Sequence, residues 1–440
     1  MLQELDTFLA TRPNLRFIDL LLPDIHAVDR GKRLDLASAR SAFKDGMLLP
    51  GSLFALDVPG GTIQETGLGF DEGDADRPCR VVPGTLVEVP WLEHGVAQAQ
   101  VTMHERDGRP FFGDPRHLLC RVLERFAALG FTPVVAIELE FYLLDRELDA
   151  RGLPQPPRAP HTGRREYRTQ INSMIDLDEY SAVLADIDTA CRAQNVPSTT
   201  ALAEYGPGQF EVNLLHRADA LLACDEALRF RRIVKCVARR HGMDATFLSK
   251  PYADMAGSGL HVHMSLQDRE GRNVFASEDA LGTPAMQHAA AGLLSTMADG
   301  MAIFAPLANA WRRFQPEAYV PLTADWSINN RGAALRVPVS DAANRRLEHR
   351  VAGAEANPFL VMSWLLGGML LGLQRGEAPR APLTGNAYHA AGTLGEALPR
   401  YWPTALDRFE ASAFARELLG AGLHRIYSLV KRRELDDFNA

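Results

Sequence analysis

In Ile137-Glu138-Leu139-Glu140-Phe141 two glutamates stand two positions apart. On a strand successive side chains alternate faces, so Glu138 and Glu140 share one face and Ile137, Leu139 and Phe141 the other. Taken alone, this is a surface strand with a polar side. Two carboxylates on one face repel, which is tolerable if cations lie between them. In Gly257-Ser258-Gly259-Leu260-His261-Val262-His263-Met264-Ser265 the same alternation puts His261, His263 and Ser265 together, opposite Leu260, Val262 and Met264. A lone histidine is most often a structural hydrogen-bonder. Two on one face, entered through Gly-Ser-Gly, point to a site. It is not a zinc signature, because no third nitrogen or sulfur ligand is near.

A third segment, Glu204-Tyr-Gly-Pro-Gly-Gln-Phe-Glu211, holds a Gly206-Pro207-Gly208 turn that could bring Glu204 and Glu211 toward each other. Its plain reading is a hairpin with polar ends. A fourth feature is the arginine series Arg313, Arg331, Arg336, Arg346 and Arg350, with Glu348 between the last two. A basic strand face usually meets solvent or makes salt bridges. Beside carboxylates and metal it could bind phosphate and substrate carboxylate, which suit the planar guanidinium fork. Together these segments supply five glutamates, at least one histidine and several arginines. Oxygen-rich ligation points to magnesium or manganese rather than zinc. Neither a Gly-x-x-x-x-Gly-Lys-Ser/Thr loop nor a dinucleotide-binding glycine fingerprint is present. Residue types and spacing stop here, at a metal-and-phosphate site with no stated reaction.

The elements that must position these residues change style at His104-Glu-Arg-Asp-Gly-Arg-Pro110, a charged turn. Before it come short β-like runs at 15–21, 85–89 and 97–103, with a loop-like stretch at 59–83 rich in Gly and Asp. After it, Asp114-Pro115 starts a helix that Gly130 ends. Strands are expected at 134–144, 210–214, 260–266, 333–339 and 346–351, and helices at 178–195 and 221–241. The C-terminus is helical. The apolar run 359–373 is too short to span a bilayer, which needs about 20 residues. Its adjacent Gly367 and Gly368 mark a buried helix packed closely on a neighbour. A chain of 440 residues is too long for one ordinary core and suits two domains.

The net charge of −8 makes the surface no lure for nucleic acid or an anionic membrane. The five cysteines are scattered, odd in number and without a Cys-x-x-Cys, which argues against a disulfide framework and a thiolate zinc site. The N-terminus lacks the pattern of a signal peptide. A reducing cytoplasm is the natural compartment.

In this order, Glu-x-Glu, Glu204 to Glu211 around Gly-Pro-Gly-Gln, Gly-Ser-Gly-x-His-x-His-x-Ser, Asn330-Arg331 and Arg346-x-Glu-x-Arg350 resemble the glutamine synthetase family over nearly the whole chain. The resemblance implies an α+β fold: a small N-terminal β-grasp domain (1–106) and a catalytic domain (107–440) whose curved antiparallel sheet is flanked by helices. It implies two or more Mg2+ or Mn2+ ions per site. Glu140, Glu204 and Glu211 would ligate one; Glu138, His261 and Glu348 would ligate the other. His263, Ser265, Arg336 and Arg346 fall at ATP-contacting positions, and Gly257, Arg313 and Arg350 at glutamate-contacting ones. Arg331 falls where the transferred phosphoryl group is stabilised, so Arg331 and Glu348 are the catalytic candidates. The implied partners are L-glutamate, ATP and an amine, with active sites between subunits of a homododecamer of two stacked rings.

The sequence departs from ammonia-using members where they hold ammonium. Tyr319 stands in place of a glutamate, Pro50 in place of an aspartate, and Ala256 in place of an asparagine. Pro50-Gly-Ser-Leu-Phe-Ala-Leu-Asp57, Glu65-Thr-Gly-Leu-Gly-Phe-Asp71, Gly73-Asp-Ala-Asp-Arg77 and Leu347-Glu-His-Arg350 resemble the γ-glutamylpolyamine (γ-glutamylputrescine) synthetase branch, which acts in polyamine catabolism. That implies a primary amine such as putrescine or spermidine as nucleophile, with Tyr319 at the amine site. Trp326 reads as core and the acidic run Asp71, Glu72, Asp74, Asp76 as a solvated loop. The rival readings are another amine (a monoamine, ethanolamine or ammonia) and a non-catalytic assembly protein.

Overall fold

The computed structural model describes residues 1–168, 171–389 and 395–440. Two sheets organise them. The first holds β1 (Phe17–Pro23), β2 (Asp29–Asp35), β3 (Met47–Pro50), β4 (Asp76–Val81), β5 (Val87–Glu88) and β6 (Val96–Met103). Their order is β2-β1-β6-β4-β3, with β5 also on β6. All pairs are antiparallel except β1 with β6. Helix α1 (Leu2–Ala10) precedes the sheet, and α2 (Leu36–Asp45) packs on it through Ala39, Ala42 and Phe43. The Asp35 side chain caps α2 by accepting from the Ser38 N–H.

β4 lies inside the stretch expected to be a loop. Its Arg77, Cys79 and Val81 are buried in alternation. Asp76, Pro78 and Arg80 fill the other positions, so the period of two is hidden among turn-forming residue types.

The second part begins with α3 (Pro115–Ala128), where Asp114 accepts from the Arg116 N–H and Gly130 takes φ +79. Then come β7 (Thr132–Asp145), α4 (Met174–Glu179), α5 (Ser181–Ala193), β8 (Ser198–Ala203), β9 (Gln209–Leu214), α6 (Ala220–Arg240), β10 (Met243–Thr246) and β11 (Leu260–Gln267). They are followed by α7 (Pro284–Met297), α8 (Met301–Phe304), β12 (Trp326–Ile328), β13 (Leu335–Val337), β14 (Leu347–His349), α9 (Pro358–Arg375), α10 (Trp402–Ala411) and α11 (Ala413–Asn439). The helix expected from 178 begins at Ser181, because the chain turns at Tyr180 after the separate short α4.

The eight-stranded sheet runs β12-β13-β14-β11-β7-β9-β8, with β10 on the far end of β7. Only β12–β13 is parallel. β7 is the central strand, and its apolar face is fully buried at Ile137, Leu139 and Phe141. Burial of each such side chain contributes about 1.5–3 kcal/mol. Phe141 packs on Phe210, Phe230 and Phe247, which fixes that face toward the helices and turns the glutamates the other way.

The apolar run 359–373 is the buried core of α9. A Cβ on Gly368 would lie 2.7 Å from Thr296 Oγ1 of α7, and one on Gly367 would lie 2.6 Å from Leu418 of α11. The two glycines therefore face two different neighbours. No helix among the described residues is long and apolar enough to cross a membrane.

Candidate metal and phosphate site

Strand register assembles the site. On one side of β7, β11 pairs antiparallel so that His261 stands opposite Glu138. On the other side, β9 places Glu211 opposite Glu140 and Asn213 opposite Glu138. β14 then sets Glu348 opposite His263, and β13 sets Arg336 opposite Glu348. Five strands thus present their polar residues to one face.

The side chains meet as the register requires. His261 Nδ1 is 2.7 Å from Glu138 Oε1, and His263 Nε2 is 3.4 Å from Glu138 Oε2. Glu140 Oε2 accepts from the Gly259 N–H at 2.8 Å, tying the glycine turn to the glutamate strand. Asn213 donates to Glu211 at 2.8 Å. Arg336 donates to Glu348 Oε2 at 2.8 Å, and Arg350 donates to its other oxygen. Arg346 Nε donates to His263 Nδ1 at 3.2 Å.

Two groups of three donors result, each with ligand atoms within 4.8 Å of one another: Glu138, His261 and Glu348, and Glu140, Glu211 and His261. The first is the triad expected for one ion. In the second, Glu140 and Glu211 are joined by His261. Glu204 lines the same cavity but belongs to neither group. The reason is register: Leu202 pairs with Glu211 and Ala203 with Phe210, so Glu204 lies beyond the end of β8.

Electrostatics divide the acids. Burial pushes Glu138 up, but hydrogen bonds from His261 and His263 carry it well below the usual carboxylate range. Glu348 is likewise opposed by burial, yet Arg350, the histidines and Arg336 hold it at about 2. Burial and the neighbouring Glu204 push Glu140 up to about 8. Burial with Glu138 and Glu140 pushes Glu211 up to about 10. Arg313 and the Gly259 N–H oppose the rise at Glu140 but do not cancel it. An oxygen-rich set with one imidazole and two crowded carboxyls fits a hard divalent cation, which would return both to the ionised form.

The groups open on a cavity of about 550 Å³ that also meets Gly257, Arg313, Arg331, Arg336, Arg346 and Arg350. His263, Asn213 and Arg346 continue into an adjoining cavity of about 410 Å³, where Ser265 lies. Arg313 is buried and donates to the Val351 carbonyl at 2.7 Å. Tyr319 is 54% exposed at the cavity mouth and stacks on Tyr205, with ring centroids 6.0 Å apart. Its φ of +54 is a left-handed conformation rare for a non-glycine residue. Trp326 is buried, donates to the Arg380 carbonyl, and lies outside the cavity. Pro50 ends β3, and no residue before Glu138 lines the cavity.

Sequence reasoning missed Asn213, Tyr205 and Gln209. Asn213 was findable, since it stands two positions from Glu211 on the same strand face. Gln209 is buried, accepts from the Gly206 N–H at 3.0 Å, and donates to the Gly257 carbonyl at 3.0 Å. It fastens the Glu204 turn to the glycine turn across 48 residues of chain, which no local pattern reveals.

Residues 112–440 match the model of the glutamine synthetase catalytic domain. The γ-glutamylputrescine synthetase of Escherichia coli K12 is 41% identical, over 99% of this chain and 92% of that one. The γ-glutamylethanolamide synthetase of Streptomyces coelicolor is 32% identical, over 96% and 89%. A solved GmaS/ADP complex superposes with a TM-score of 0.85 at 26% identity, covering 98% of this chain and 96% of that one. Over its full described length, then, the chain belongs to the glutamine synthetase family.

Proposed function

We propose that the chain is an ATP-dependent ligase that joins the γ-carboxylate of L-glutamate to a primary amine, with a polyamine such as putrescine as the preferred nucleophile. The observation that carries this reading is the pair of three-donor groups on one sheet face beside five arginines. The 41% identity to a γ-glutamylputrescine synthetase supports the choice of amine. A cytoplasmic setting agrees with the five free cysteines.

Glu138, His261 and Glu348 would hold one Mg2+ or Mn2+, and Glu140 and Glu211, with Glu204 close by, a second. Such ions supply charge neutralisation for phosphate oxygens. The chain's own residues do the rest. Arg336, Arg346, His263 and Ser265 hold ATP, whose base and ribose suit the adjoining cavity. Gly257, Arg313 and Arg350 hold glutamate, and Arg331 reaches the phosphoryl group in flight. A γ-carboxylate oxygen attacks the γ-phosphorus and ADP leaves, giving γ-glutamyl phosphate. The amine nitrogen then attacks the acyl carbon, phosphate departs, and the nitrogen loses a proton to give the amide. Positioning and charge neutralisation are the main sources of rate in such transfers.

At the mouth, Tyr319 replaces an acid with an aromatic face. That removes an ammonium-holding charge and offers an alkylammonium a cation–π contact. We read 1–106 and 107–440 as two domains, each around its own sheet. We also propose that a neighbouring subunit's segment around Pro50 completes the cavity in a homododecamer, since this chain contributes nothing there from its N-terminal part. Replacing Glu211 by alanine should lower ADP and amide formation by about 10²–10³-fold or more. Unchanged turnover in that variant would exclude the site.

A further inference from the structure

A cavity of about 380 Å³ lies between the β1–β2 turn, α6 and Phe247. It shares no lining residue with the cavity at the metal groups. Its size falls in the range of small-molecule sites. We infer that it binds a small molecule carrying a phosphate or carboxylate group and a short apolar body.

The charge pattern points there. Arg231, Lys235 and Arg239 recur every four residues, so they share one face of α6, and Arg232 adjoins them. These four cations face two carboxylates in the lining, Asp29 and Glu355. Arg232 is matched by Asp19 at 3.1 Å and Asp29 at 3.9 Å, and Arg239 by Asp244 at 3.1 Å. Among the described residues, Arg231 and Lys235 have no ion-pair partner within 4.0 Å.

Arg231 is 6% exposed. Among the described residues it donates once, to the Ala356 carbonyl at 2.7 Å, and its Nε has no hydrogen-bond partner there. The His26 ring turns Nε2 to Glu434, and its buried Nδ1 is equally unpartnered. A buried guanidinium with unmet donors is costly, and an anion would relieve that cost. The other wall is apolar: Ile25, Val28, Leu248 and Leu307, with the Phe247 ring beneath Arg231 and Lys235 at 5.8 and 5.9 Å.

Cys236 also lines the cavity and is half-buried, whereas the half-buried Cys120 lies outside it. The two thiols allow a direct test on the whole protein. Iodoacetamide alkylation is followed at both by peptide mass spectrometry, with inorganic phosphate, malonate or phenyl phosphate as probes. Binding should slow Cys236 but not Cys120, by about tenfold at a probe concentration near ten times Kd. The phosphate and carboxylate arms show which head group the site takes. Lys235→Ala with Arg239→Ala, both exposed positions, should abolish the protection. Equal Cys236 rates with and without every probe, or undiminished protection in the double variant, would overturn the inference. If Cys236 resists alkylation, the Tm rise with phosphate is compared instead, and equal rises in wild type and double variant overturn it.

Discussion

Glu140 and Glu211 face each other across β7 and β9 with their carboxyls raised to about 8 and about 10. An unfolded glutamate titrates near 4.5. In metal-free protein the stability linked to these protons is therefore complete below 4.5 and is lost as pH rises through 8 and 10, at about 1.4 kcal/mol per pH unit for each group. The acids held at about 2, Glu348 and Glu434, act in the opposite direction only below 4.5, so the windows do not overlap. Burial holds His349 at about 3, which adds stability as pH rises to about 6.5 and offsets part of that loss. With a chelator, Tm should therefore fall as pH rises from about 6.5 toward about 10, and Mg2+ or Mn2+ should flatten that fall. Identical profiles in calorimetry with and without metal would contradict the electrostatic account. At this scale much was legible: the period of two placed Glu138, Glu140, His261 and His263 on one face without any structure. Glu204 was legible as the far end of the turn and does line the same cavity, but its place outside both three-donor groups was not, because that depends on where β8 ends.

The helices show what close approach demands. A Cβ on Gly372 of α9 would stand 2.0 Å from the His288 carbonyl oxygen of α7, and one on Gly292 would stand 2.1 Å from the Gly368 carbonyl oxygen. Gly372→Ala gains about 1 kcal/mol of helix propensity. Against a backbone neighbour it must force α7 and α9 apart, at about 3 kcal/mol or more. The net effect should be a loss of about 2 kcal/mol, read as a lower denaturation midpoint, and a stabilised variant would refute this crossing. The sequence showed a glycine pair in an apolar helix and hence close packing. It did not single out Gly372, four residues beyond Gly368, because the partner glycine lies 80 residues away on α7. β4 was lost for a different reason: its buried alternation is carried by Arg77 and Cys79 between a proline and charged residues.

Across the whole molecule, the C-terminal helix is fastened to the N-terminal sheet. Lys431 is fully buried and donates to Glu434 at 2.8 Å. Glu434 also meets His26 at 2.7 Å, a partner 408 residues away, and accepts from the Val58 N–H at 3.0 Å. Glu434→Gln strands the Lys431 charge and should cost about 3–5 kcal/mol, while adding Lys431→Met should recover most of it. Equal midpoints for single and double variants in urea would show that the pair is not coupled. No spacing rule reaches over such a separation, so this tie was invisible in the sequence, whereas the change of style near residue 104 was plain. The choice of amine is tested most directly by one measurement. ADP and amide are measured with glutamate, ATP, Mg2+ or Mn2+ and one amine at a time, for the wild type and Tyr319→Glu. Putrescine or spermidine should be the best nucleophile for the wild type, and Tyr319→Glu should shift preference toward ammonia by about tenfold or more, the worth of one cation contact. No turnover with any amine, or ammonia outrunning the polyamines in the wild type, would contradict the account.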